Sequence, residues 1–182
     1  NLVNRVLQCI SKFFESTIPE FDPGESEFLS SIQFPAVKEE IIRLMEGLEL
    51  KKALLKVLEI CSVGNKYFQD SQPWALVKTD KEKAGMILGE LTGFTKDISI
   101  FLWPYIPAAV EKVFTALNLS KDDLTYENIG NYQGIIGKPI NRPDILFKKI
   151  DKKQVEELRE RFSGTRPDPA EEFSTLSLKA GK

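Results

Sequence analysis

The sequence predicts an all-α protein: an antiparallel bundle of about five helices, with an irregular strap and a C-terminal helix. Three observations carry that prediction. Apolar residues return at helical spacing through five successive runs, prolines and glycines punctuate the chain between them, and 182 residues at 42% hydrophobic content suffice for one core.

The first run is Val3, Val6, Leu7, Ile10, Phe13 and Phe14, with Asn4, Gln8, Ser11, Lys12 and Glu15 on the other side, an amphipathic helix with a hydrogen-bonding face. Two prolines and a glycine in Thr17-Ile18-Pro19-Glu20-Phe21-Asp22-Pro23-Gly24 end it, because they cannot continue the ladder. Spacing resumes through Phe28, Leu29 and Ile32, then Val37, Ile41, Leu44, Met45 and Leu48, with Pro35 between them as a helix start or kink and the apolar face inward. A third, long helix runs from about Glu49 to Gln69 through Leu50, Ala53, Leu54, Val57, Leu58 and Cys61, and breaks before Pro73.

Asp80 caps a fourth helix to about Trp103, whose buried stripe is Met86, Ile87, Leu91, Phe94, Ile98, Phe101 and Leu102. Gly85, Gly89 and Gly93 recur every four residues on it, a spacing that admits a closely packed helix. Pro107 sits in the first turn of a fifth helix through Val110, Val113, Phe114 and Leu117. The run Gly130 to Pro139 reads as a strap with a short extended pair, and Asp151 caps a last helix through Val155, Leu158 and Phe162. Residues 1–162 are expected to form one domain, and 163–182, without periodicity, a flexible tail or linker.

Composition narrows the chemistry. The formal charge is −2, so any contact with phosphates must be local rather than driven by the whole surface. No histidine is present, which removes the usual neutral-pH acid or base, histidine-paired nucleophiles and histidine-based zinc sites. Catalysis by this chain is not expected, and no catalytic residue or metal site is assigned. Cys9 and Cys61 lie in apolar helical runs and read as small buried hydrophobes in a reducing compartment. No apolar run reaches the roughly 18 residues of a membrane span, so a soluble intracellular protein is expected, one that neither enters a membrane nor binds DNA. The start at Asn1, directly in helical periodicity, suggests a domain cut from a longer chain.

The most informative stretch is Gly64-Asn65-Lys66-Tyr67-Phe68-Gln69-Asp70-Ser71-Gln72-Pro73-Trp74, where a helix ends and Pro73 delivers a tryptophan into a polar turn. A rigid indole beside a polar helix face can stack on an unpaired base. Packing at the rim of the bundle is the other reading of Trp74, since tryptophan is highly buried on average. On the first helix Gln8 and Lys12 share a face, with Asn4 a turn earlier and Arg5 beside them; that stripe is either the rest of a site or a solvated face. Asn65 can instead bond neighbouring backbone or a partner on the first helix.

Leu2-Val3-Asn4-Arg5-Val6, Ser11-Lys12-Phe13-Phe14, Gly64-Asn65-Lys66-Tyr67, Gln72-Pro73-Trp74 and the closing Asp151-Lys152-Lys153-Gln154-Val155-Glu156 together resemble the anticodon-binding domain of methionyl-tRNA synthetase, a class I synthetase, in its eukaryotic-like form. The resemblance covers nearly all of residues 1–162. It implies a bundle that reads the CAU anticodon of tRNA(Met) for a Rossmann-type catalytic half that binds ATP and methionine. That half is absent here: neither its HIGH signature nor a KMSKS-like run occurs, so no cofactor is implied for this chain.

The resemblance places the stacking tryptophan at Trp74, after Pro73. Gln8 falls where the bacterial pattern has an asparagine and Lys12 where it has an arginine, so an amide pair is kept on a longer arm while a planar fork becomes a point charge. Asn4 and Arg5 resemble residues near the junction with the catalytic half, where either helix anchoring or tRNA contact is their role, and Asn65 is expected among the anticodon-binding residues. Lys66 and Lys78 flank the tryptophan as phosphate contacts. Expected partners are the anticodon stem-loop, the catalytic half and a multi-synthetase assembly; the location is cytoplasmic. A helical protein-protein scaffold without RNA affinity is the alternative.

Overall fold

The computed structural model describes residues 2–141, 145–147 and 150–163. Among them are eight α-helices: α1 Leu2–Phe13, α2 Glu27–Ile32, α3 Phe34–Glu46, α4 Leu50–Ser71, α5 Pro73–Leu76, α6 Lys81–Leu102, α7 Pro107–Ala116 and α8 Lys152–Phe162, with single 3-10 turns at Lys121–Asp123 and Tyr126–Asn128. The all-α prediction holds. No helix among the described residues is long and apolar enough to cross a membrane. The chain divides into two compact units, residues 1–146 and 147–182.

In the first unit α6 is the axis. It packs against α1, α2, α4, α5 and α7, so it is buried nearly all round from Ala84 to Phe101 and not along one stripe as the periodicity predicts. Only Met86 of the expected stripe faces out, because it sits on the side left open between α2 and α4. Such complete burial forces polar residues on α6 to find partners. Thr92, Thr95 and Ser99 turn their hydroxyls back onto carbonyls of their own helix. Lys96 donates to the carbonyls of Asn128 and Asn131 and lies 2.9 Å from Asp97, whose carboxylate accepts from the Tyr132 hydroxyl at 2.6 Å and the Gly130 N–H. That network fastens the strap to the axis.

Gly85, Gly89 and Gly93 do admit a close approach, but the neighbour is a connection and not a helix. A Cβ on Gly89 would lie 2.8 Å from the Pro19 carbonyl and 2.6 Å from the Phe21 ring, and one on Gly93 2.9 Å from the Tyr132 ring. The connection is pressed there because Glu15 and Ser16, both left-handed at φ 52° and 56°, turn the chain sharply after α1. The extended pair expected inside the strap forms between elements instead: a bridge joins Thr17 to Pro139, with Ile18 N–H donating to the Lys138 carbonyl and Ile140 N–H to that of Ser16.

Of the two readings of Pro35, helix start or kink, the structure has the start. Gln33, left-handed at φ 53°, ends α2, and Pro35 sits in the first turn of α3. Ser26 caps α2 through its hydroxyl, which accepts from the Leu29 N–H. Leu48, assigned to an inward face, is 82% exposed, because at φ 59° it makes the turn between α3 and α4. Leu50 and Leu58 are likewise exposed on α4. The Asp80 cap is present, accepting from the Lys83 N–H at 2.9 Å.

The second unit contributes α8, opened by a capping box in which Asp151 accepts from the Gln154 N–H and Gln154 from that of Asp151. The expected domain 1–162 thus contains both units as far as α8, and the tail from Gly164 lies outside the described residues.

Candidate nucleic-acid interface

Three helices of the first unit meet around one cleft of about 540 Å³. The α1 face supplies Arg5, Gln8, Cys9, Lys12 and Phe13, the end of α4 supplies Phe68 and Gln69, and Trp74 on α5 with Lys78 closes the opposite side. The face of α1 is polar outward because Val6, Leu7 and Ile10 are almost wholly buried on the other side.

Trp74 is not in a polar turn but in a one-turn helix. Gln72, left-handed at φ 43°, stops α4, and the buried Pro73 opens α5. The indole keeps 36% of its surface exposed. Its inner side rests on Phe68, ring centres 4.9 Å apart, and the Arg5 guanidinium lies 4.7 Å from the centre of the Phe68 ring. Arg5 in turn donates to the Asn65 amide oxygen at 2.8 Å, and Asn65 donates to the Cys61 carbonyl at 2.9 Å. The Asn65 amide is therefore oriented by its own helix and presents oxygen to Arg5. An ordered chain, Asn65 to Arg5 to Phe68 to Trp74, backs the cleft.

Of the residues singled out from sequence, Trp74, Gln8, Lys12, Arg5 and Lys78 come together on this cleft, and Pro73, Asn4 and Asn65 lie outside its lining. The Asn4 amide oxygen is buried without a partner, as is Nε of Arg5. Lys66 points elsewhere: it lines a second cleft of about 590 Å³ with Glu25, Glu27, Asp70 and Glu90. It does not flank the tryptophan, because eight residues separate it from Trp74 and α4 turns it onto another face.

Charge separates the two clefts. The first is lined by the cations of Arg5, Lys12 and Lys78 and by no carboxylate; the second sets four carboxylates against one ammonium. Only the first suits a phosphodiester. Cys9 lines it as a neutral thiol: burial raises its pKa, against the smaller lowering pull of Lys12 and Arg5. Cys61, beneath Asn65, is raised to about 11, chiefly by burial. Sequence reasoning missed Phe13 and Phe68 as cleft residues because both fit the apolar periodicity. The available signal for Phe13 was its place at the very end of α1, four residues after Cys9 and beside Lys12.

Fold and cleft define an all-α bundle domain with an aromatic, cationic groove among the described residues. The model of the family described as the anticodon binding domain of methionyl tRNA ligase matches residues 22–167. A methionine–tRNA ligase of Treponema denticola is 30% identical over 194 residues, covering 92% of this chain and 24% of the relative. One of Borreliella burgdorferi is 34% identical over 164 residues, covering 90% and 22%. The apo methionyl-tRNA synthetase of Mycobacterium tuberculosis superposes with a TM-score of 0.74 at 18% identity, over 83% of this chain and 31% of that one, which speaks for the fold. This chain belongs to the family of methionyl-tRNA ligase anticodon-binding domains. It spans about a quarter of the length of the curated relatives it matches.

Proposed function

We propose that this domain reads the CAU anticodon of tRNA(Met) in the cleft between α1 and α5, so that a separate catalytic half of the same parent chain, the part that binds ATP and methionine, charges the right tRNA. The observation that carries the reading is the Trp74 indole, about a third exposed and backed by Phe68, in a cleft whose lining holds three cations and no carboxylate. An unstacked base needs an aromatic plate, edge-reading polar groups and a few backbone cations, and Trp74, Gln8 and the Arg5, Lys12 and Lys78 set supply one of each kind.

Each group has a definable task. Trp74 stacks on a splayed base with its outer face. Gln8, exposed one turn before Lys12, offers both a donor and an acceptor to a Watson–Crick edge. Lys12 and Lys78 neutralise phosphates, whereas Arg5, committed to Asn65, holds the back wall. The greater length of the relatives supports a parent enzyme with its own catalytic half. The same reading carries a cytoplasmic setting and, for the C-terminal segment, docking into a multi-synthetase assembly.

The test is binding of a CAU-bearing anticodon stem-loop and an anticodon-swapped control at fixed salt. Trp74→Ala, which removes a partly exposed ring, is expected to keep the fold and lose about 1–3 kcal/mol of binding for the stacked base. Unchanged affinity of that variant removes the stacking role, and equal binding of both stem-loops removes anticodon reading.

A further inference from the structure

We propose that Phe13 is a second base-stacking plate of this cleft, at the end away from Trp74; the inference rests on the anticodon-reading function above. Four observations converge on it. Phe13 lines the cleft, whereas its neighbour Phe14 packs against the hydrophobic core. Its ring is partly exposed and belongs to no core cluster among the described residues. The Lys12 ammonium stands 5.1 Å from its ring centre, so the ring already holds a cation through its π-face. Lys12 itself has no planar surface on which a base could stack.

Geometry separates the two plates. Trp74 leans on Phe68, and Phe68 lies under Arg5, so the indole belongs to the Arg5 end of α1. Phe13 comes eight residues later, which at 1.5 Å per residue is about 12 Å along the helix axis. Measured between Arg5 and Phe13 on α1, that span far exceeds the roughly 3.4 Å between stacked neighbours on a strand. Bases held by the two plates are therefore splayed apart, with the Gln8 amide between them to meet an edge. In the free protein the Lys12 ammonium occupies the Phe13 face. An arriving base displaces it, and the ammonium moves to the phosphate that the same nucleotide brings.

The experiment is a coupling analysis on the full chain. Stem-loops with a single abasic nucleotide at each anticodon position are titrated against wild type, Phe13→Leu, Phe13→Tyr and Trp74→Ala. Phe13→Leu keeps apolar bulk and removes the aromatic face, so it is expected to weaken the intact stem-loop roughly 5- to 150-fold while Phe13→Tyr stays near wild type. One abasic position should abolish the difference between wild type and Phe13→Leu, and a different position should abolish that between wild type and Trp74→Ala. Wild-type affinity of Phe13→Leu beside a weakened Trp74→Ala overturns the second plate and leaves anticodon reading intact. So does coupling of both residues to the same nucleotide. Absence of stem-loop binding by the wild-type chain overturns both.

Discussion

At the scale of single residues, this domain spends its polar groups on orientation. Asn65 shows how: its amide nitrogen is tied to the Cys61 carbonyl, leaving the oxygen for Arg5, and the guanidinium so held covers Phe68 behind the indole. A partly exposed tryptophan needs such a wall, because an unsupported ring would lose part of its stacking energy in being ordered on binding. On α6 the Asp97 carboxyl is pushed up by burial, against the pull of Lys96 and of the Tyr132 and Gly130 donors, and those contacts fasten the strap to the axis. Cys61 gives a pH signature. Its pKa in the fold is raised from the ordinary 9 to about 11, so the neutral thiol is favoured in the native state. The stability this contributes is whole below pH 9 and is lost as the pH climbs to 11. Urea melts across that window should therefore show wild type losing more stability than Cys61→Ala, which lacks the group; parallel losses would refute the assignment.

At the scale of elements, glycine placement decides which surfaces touch. Gly64 on α4 faces α6, and a Cβ there would stand 2.2 Å from the Phe94 ring, itself 1% exposed and unable to retreat. Gly64→Ala is expected to destabilise the bundle by about 1–3 kcal/mol through overpacking, in spite of alanine's better helix propensity. Gly134→Ala, where the nearest atom is 3.8 Å away, should be close to neutral in the same denaturant titration. Element boundaries were legible where a side chain announces them, as at Asp80, Pro107 and Asp151. They were illegible where a left-handed residue other than glycine ends a helix. Gln33, Leu48 and Gln72 carry no compositional mark of that conformation; at the first, Pro35 alone left a start and a kink both open, and the second hid an exposed turn. The third hid α5, the one turn of helix that aims Trp74.

At the scale of the whole molecule, a net charge of −2 coexists with a cleft lined by three cations. The consequence is a shallow salt dependence. With Arg5 held by Asn65, Lys12 and Lys78 are the two that release counterions from a single-stranded loop, so log affinity should fall against log salt with a slope of about −1.4, from roughly 0.7 per phosphate neutralised. Lys78→Met should lower that slope by about 0.7 and weaken all stem-loops alike, whereas Lys66→Met, in the acidic cleft, should leave it unchanged. A slope that responds equally to both substitutions would mean that diffuse charge, and not the cleft, attracts the RNA.

The local pattern alone determined the helical class, the amphipathic α1 with Gln8 and Lys12 on one face, and the delivery of a tryptophan by Pro73, because each is written in spacing that a helix turns directly into a surface. Only the tertiary structure decided that Trp74, Arg5, Lys12 and Lys78 share one cleft while Lys66 turns to another, that the α6 glycines receive a loop, and that Phe13 faces out where Phe14 faces in. Periodicity says which side of a helix is apolar. It does not say which neighbour arrives, and the end of a helix, where the next turn no longer covers the face, is where the two answers part.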